Sequence, residues 1–140
     1  MMGRFMGFVP DIETLAPALG TTAAYGGAWA LPITCRWLAL SQRAVGPGFP
    51  LIGTNGARSG ADILRFVLAG TSAGELLSVV MQSGFEALAT ARRELLEYLE
   101  KKSLNLRDLV GTAADRLGSY AEQPIDAGRW RTFVPVAMLE

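Results

Sequence analysis

The chain contains no histidine, a single cysteine and only two lysines among its 140 residues. Without histidine, imidazole acid–base catalysis and a histidine-ligated metal are excluded. Cys35 alone can form neither an intrachain disulfide nor a thiolate cluster for zinc or iron–sulfur. It falls in an apolar helical pattern and reads as a small core residue. Lys101 and Lys102 stand together in a charged helical stretch, so no lysine sits where desolvation would lower its pKa for catalysis. No paired carboxylates and no serine–base arrangement supply a general acid or base, so no catalytic residue and no metal site are expected.

Charge of one sign is also missing. Lys plus Arg and Asp plus Glu both number 13, interspersed along the chain, which leaves no basic stripe for nucleic acid or an anionic membrane. There is no long uninterrupted apolar run. Thr14 to Cys35 carries no charge, but Pro17, Gly20, Gly26, Gly27 and Pro32 break it, and its apolar content is largely alanine. A spanning helix needs about 20 predominantly apolar residues, and "MMGRFMGFVP" is too short and broken for a signal peptide. A soluble, cytoplasmic protein is expected, in line with the scarcity of cysteine.

What is present is a globular composition, half hydrophobic and 19% charged, long enough for one domain. "PDIETLAPAL" predicts a short helix ended by Pro17 or Gly20, and "TTAAYGG" the end of a short strand running into a glycine turn. A helix begins at Pro32, since proline is well tolerated in a first turn, and "VGPGFP" is a loop. "LIG" predicts a short buried strand. Ser59 is placed as an N-cap with Asp62 three residues on, Ile63, Phe66 and Val67 share one face, and Gly70 ends the helix. "SAGELLSVVM" predicts the next strand.

Gln82 to Lys102 carries an apolar stripe, Leu88, Ala91, Leu95 and Leu99, beside a charged row, Arg93, Glu97 and Lys101. Shorter helical turns follow, then an irregular tail over residues 121–140. Two strands around one helix predict a parallel pair with a right-handed crossover.

The chemistry of this pattern lies in "GTNGARSG". Gly53 and Gly56 allow close backbone approach, and a helix beginning at Ser59 presents partial positive charge, which together suit a phosphate. Glycine-rich turns between strand and helix also serve geometry alone. "AYGGAWALP" offers a second such turn at Gly26 and Gly27. Arg58 is placed either to reach an anion or, as is commoner for an exposed loop arginine, simply to be solvated. Glu75, a carboxylate in an apolar stretch, must face a polar site, a partner or solvent and is a candidate lining residue. Trp29 and Trp37 read as packing residues.

Read in order, "FPLIGTNGARSGADILRFVLAGTSAGELLSVVM" resembles the seventh strand, phosphate loop, helix and eighth strand of the dihydroorotate dehydrogenase family. "YGGAWALPITCRWLA" is similar to the loop and helix before it, "GRFMGF" to the end of the sixth strand, and "RRELLEYLEKKSLNLRDLVGTA" to the closing helices. The resemblance implies an α/β fold, a partial (β/α)8 TIM barrel. It would comprise the last two to three βα units with C-terminal helices over residues 1–120, truncated at its N-terminal side. It implies FMN as cofactor, with contacts at Gly26, Gly27, Asn55, Gly56 and Ser78. Three positions depart from the family pattern. Asn55 replaces a glycine, and Gly3 replaces an asparagine. Leu77 replaces the glycine before the Ser/Thr, which brings a bulky side chain toward the phosphate. The groups that family members use for hydride transfer come from strands upstream of this stretch. The expected protein is therefore a fragment keeping the flavin-phosphate half-site, inactive alone or one piece of a split enzyme. Its expected partners are a flavin or other small-molecule phosphate, and either a complementary barrel chain or a second copy. A noncatalytic half-barrel interaction module, and a binder of another phosphorylated small molecule, are the alternatives.

Overall fold

The computed structural model describes residues 5–19 and 24–122. The expectations for Gly3, for a stop at Gly20 and for most of the tail lie outside them. Four short strands open the chain: β1 (Phe5–Met6), β2 (Val9–Pro10), β3 (Pro17–Leu19) and β4 (Ala24–Tyr25). They form two antiparallel pairs, β1 with β4 and β2 with β3.

The helix expected over Pro10–Leu19 is thus a hairpin. Asp11 decides this. Its Oδ1 accepts from the N–H groups of Glu13 (2.8 Å) and Thr14 (2.9 Å), which also pull its carboxyl below the usual range. Local side-chain acceptors of this kind divert the backbone from the helical ladder. The chain then turns through Leu15 at φ 55°, and Asp11 N–H reaches Ala16 C=O at 2.8 Å.

The main packing unit follows: α1 (Leu31–Val45), β5 (Ile52–Gly53), α2 (Gly60–Leu68), β6 (Ala73–Gly74), α3 (Ser78–Ser83) and α4 (Glu86–Lys102). Pro32 opens α1 within its first turn, and Leu31, Thr34, Leu38, Ala39 and Gln42 form its buried face. Strands β5 and β6 are parallel, with Gly53 opposite Gly74, as two strands around one helix require. This is a mixed α/β arrangement of helices with three two-stranded sheets among the described residues. Phe66 is the fully buried centre, surrounded by Leu31, Leu38, Ala39, Ala57, Ala69 and Ala114. Short 3-10 turns after α4 are stitched back onto α2 by Gly111 N–H to Val67 C=O (2.9 Å) and Ala113 N–H to Leu68 C=O (3.0 Å).

Three expectations require correction. "SAGELLSVVM" is a strand for two residues only. After Glu75 N–H bonds Gly53 C=O at 2.8 Å, β5 turns into its loop and offers no further ladder, and the chain coils into α3. The long helix begins at Glu86, because Gly84 at φ 74° separates it from α3. In "LIG" Gly53 is buried, but Ile52 is exposed, because among the described residues β5 has one neighbour rather than two. On α4 the predicted stripe is buried at Ala91 and Leu99 and open at Leu88, and Arg93 and Glu97 lie 3.9 Å apart on the solvent side. Among the described residues, no helix is long and apolar enough to cross a membrane.

Trp29 and Trp37, expected as packing residues, are half exposed. Trp29 stacks on Tyr25 and tilts against Phe5, with ring centroids 5.3 Å apart in each case, while Trp37 lies on the outer face of α1. Cys35 packs against the core, and burial pushes its thiol up to about 11. The thiol is therefore protonated at neutral pH and unreactive as a nucleophile. Folded protein at pH 8 should react with iodoacetamide far more slowly than urea-unfolded protein, as read by mass spectrometry. Sign follows from linkage: the unfolded thiol ionises first, so this group's contribution to stability is intact below about pH 9 and is lost as pH rises toward 11.

Candidate functional site

The loop after β5 is shaped by two residues with positive φ, Asn55 (75°) and Gly56 (106°). Gly56 rests directly on the first residue of α1. A Cβ there would lie 2.5 Å from the Leu31 nitrogen and 2.6 Å from its Cα. Asn55 faces the earlier glycine turn, where its Oδ1 accepts from Gly27 N–H at 3.2 Å. A Cβ on Gly26 would lie 2.8 Å from that same oxygen. The two glycine loops, 28 residues apart, are thereby joined.

Between them and the start of α3 lies a cavity of about 360 Å3. Gly26, Gly27, Asn55, Gly56 and Ser78 all line it, so the structure brings the five candidate residues together. Ser78 is the first residue of α3, after an N-cap residue, Leu77, that offers no side-chain acceptor. Leu77, expected to intrude on the site, is 68% exposed and sits at the rim. Arg58 and Glu75, both largely exposed, also line the cavity and bring one charge of each sign. Among the described residues, the N–H groups of Asn55, Gly56 and Ala57 donate to no protein oxygen, and Gly56 and Ala57 are buried. All three residues line the cavity, so a ligand there would lie beside backbone that makes no internal hydrogen bond through these N–H groups. Asn55 Nδ2 is likewise buried, with no protein partner among the described residues.

The N-terminus of α2, predicted as part of the anion site, is already filled from within. Ser59 Oγ accepts from Asp62 N–H (3.3 Å), as the capping pattern indicated, and Asp62 Oδ2 accepts from Arg58 N–H (2.8 Å). Glu94 Oε2, reaching across from α4, accepts from Gly60 N–H at 2.8 Å. This carboxylate had no local signal. It shares the α4 face of Ala91 and Leu95, and the packing that brings it close depends on Gly60, where a Cβ would collide with the Ala91 carbonyl. Protein carboxylates and a hydroxyl thus neutralise this helix end, and the open polar backbone is that of the loop itself. Among the described residues no group of three His, Cys, Asp or Glu side chains could hold a metal ion.

No family model matches the chain. It is similar to proteins named dihydroorotate dehydrogenase B (NAD(+)), catalytic subunit. That of Methanocaldococcus jannaschii is 33% identical over 64 residues, covering 46% of this chain and 21% of the relative. That of Saccharolobus solfataricus is 27% identical over 112 residues (79% of this chain, 38% of the relative). That of Pyrococcus horikoshii is 31% identical over 105 residues (74% and 34%). The chain thus spans well under half the length of the curated relatives it matches.

Proposed function

We propose that residues 1–120 correspond to the closing βα units of a dihydroorotate dehydrogenase-like (β/α)8 barrel, with residues 121–140 as a separate tail. We propose also that the cavity is a half-site for the phosphate of FMN. The observation that carries this reading is the gathering of Gly26, Gly27, Asn55, Gly56 and Ser78 around one cavity beside a parallel strand pair. Similarity to dihydroorotate dehydrogenase B catalytic subunits supports the same family, and barrels of this kind commonly bind phosphate after strands seven and eight. The fit to FMN is a fit to its phosphate end: buried loop amides lacking acceptors, and glycines whose missing side chains leave room. FMN, when bound, supplies the hydride acceptor. This chain's residues would hold and orient the phosphate, with Arg58 adding positive charge at the rim.

The two lysines lie at the far end of α4 and none lines the cavity. The chain alone is therefore a binding half, inactive unless a complementary barrel chain supplies the reacting groups. Purified protein given dihydroorotate, FMN and a dye acceptor should show no turnover, and FMN should bind weakly, with a dissociation constant on the order of 1 mM. Turnover, or a yellow protein after desalting, would overturn the half-site. Absence of any phosphate-induced shift in the amides of residues 54–57 would overturn the phosphate reading itself.

A second reading is favoured by one feature. Met81 on α3 is exposed, as are Leu77 just before it and Phe85 just after it, and α3 buries none of its own residues. A half-barrel that docks through this face, on a second copy or another chain, would bury them. The mass in solution distinguishes the two, since a stable dimer without phosphate binding supports docking alone.

A further inference from the structure

We infer that Asn55 is an internal acceptor that withholds the Gly27 amide from a bound anion and thereby sets how tightly the cavity holds phosphate. This rests on the phosphate reading given above and names the residue that tunes it. The Asn55 carboxamide oxygen already satisfies Gly27 N–H at 3.2 Å. A phosphate in the cavity therefore finds that donor taken, although Gly27 lines the cavity.

The direction of the amide follows from chemistry, because exchanging its oxygen and nitrogen would set two donors face to face. The side chain lies close against the Gly26–Gly27 backbone, since Oδ1 stands 2.8 Å from where a Gly26 Cβ would be. Its other half gains nothing, as Nδ2 is buried and unpartnered. The backbone at Asn55, φ 75°, is one that glycine adopts freely, so the loop's path does not itself demand this side chain. Asn55 is therefore a positioning and selectivity residue acting through Gly27. It links the two loops and lowers the number of amides open to a ligand.

The test uses the full chain, labelled with 15N and titrated with inorganic phosphate. In wild type, Gly27 N–H should be protected from exchange and nearly unmoved by phosphate. In Asn55→Gly that protection should fall, the Gly27 resonance should follow phosphate, and affinity should rise about tenfold or more, the gain of one hydrogen bond to a charged acceptor. Asn55→Asp keeps the size and the acceptor, so the loops stay joined. Its carboxylate beside the anion should weaken binding by about tenfold or more at neutral pH, with recovery as pH falls toward about 4. Equal phosphate affinity in wild type and Asn55→Gly, or a Gly27 resonance that already follows phosphate in wild type, overturns the inference and leaves the phosphate site standing. Wild-type affinity retained in Asn55→Asp also overturns it. If no form binds phosphate, the site reading fails and takes this inference with it.

Discussion

Gly56→Ala should destabilise the protein by about 3 kcal/mol and remove phosphate binding at the cavity. Two causes add. The backbone at Gly56, φ 106°, lies where an L side chain is strained. The new Cβ would also sit 2.5 Å from the Leu31 nitrogen and 2.6 Å from its Cα. Those are main-chain atoms of the first residue of α1, which packs into the core with its own side chain, so they cannot swing aside as a flexible side chain would. Relief requires the loop to move away from α1, which carries the backbone of residues 55–57 out of its place in the cavity wall. Gly46→Ala is the matched control. Its φ is also positive, 85°, but none of the described residues lies within 4 Å of the added Cβ. It should cost only the conformational part, about 1–2 kcal/mol given its ψ of 164°, and leave phosphate binding unchanged. Urea denaturation and phosphate titration of the three proteins measure the two effects, and equal losses of stability in the two variants would show that Gly56 is not wedged against α1.

Phe66→Ala should cost about 3–5 kcal/mol. Phe66 is fully buried in the cluster joining α1, α2 and the loop after β5. Its ring also lies against both strands: a Cβ on Gly53 would be 2.6 Å, and one on Gly74 3.5 Å, from the same ring carbon. Deleting the ring leaves a void beneath the parallel pair, and the glycines there have no side chains with which to fill it. Most of the other core members are alanines and leucines, so no second aromatic compensates. A circular-dichroism melt should show a large drop in midpoint, with Phe66→Leu falling between wild type and alanine. A midpoint unchanged in Phe66→Ala would mean that the pair is held by something other than this ring.

Local rules account for the features that residue type and short spacing make legible. Ser59 and Asp62 cap α2 because a hydroxyl three residues ahead of an unpaired N–H is a strictly local geometry. Pro32 opens α1 and Gly70 follows α2 for equally local reasons of φ and of missing donors. The gathering of Gly26, Gly27, Asn55, Gly56 and Ser78 was legible through the resemblance, not through spacing. The errors share one cause, competition from a partner not visible in the segment itself. Asp11 offered its neighbours better acceptors than a helix would. "SAGELLSVVM" has strand composition throughout, yet β6 lasts only as long as β5 runs beside it. Glu94 reached α2 from 34 residues away and filled the helix end that an anion was expected to occupy.

The sequence by itself determined α1, α2 with its Ser59 cap, the body of α4, the parallel strand pair and the absence of imidazole, disulfide and lysine chemistry at the cavity, because each depends on residue type or on spacing within a few residues. Only the tertiary structure decided which backbone amides stay open. That depends on acceptors brought in from elsewhere: Glu94 closes the start of α2, Asn55 claims the amide of Gly27, and the amides of residues 55–57 are left without a protein acceptor among the described residues. Hydrogen-bond supply is a property of the folded whole, since a donor's availability is set by whatever packing carries to within about 3 Å of it.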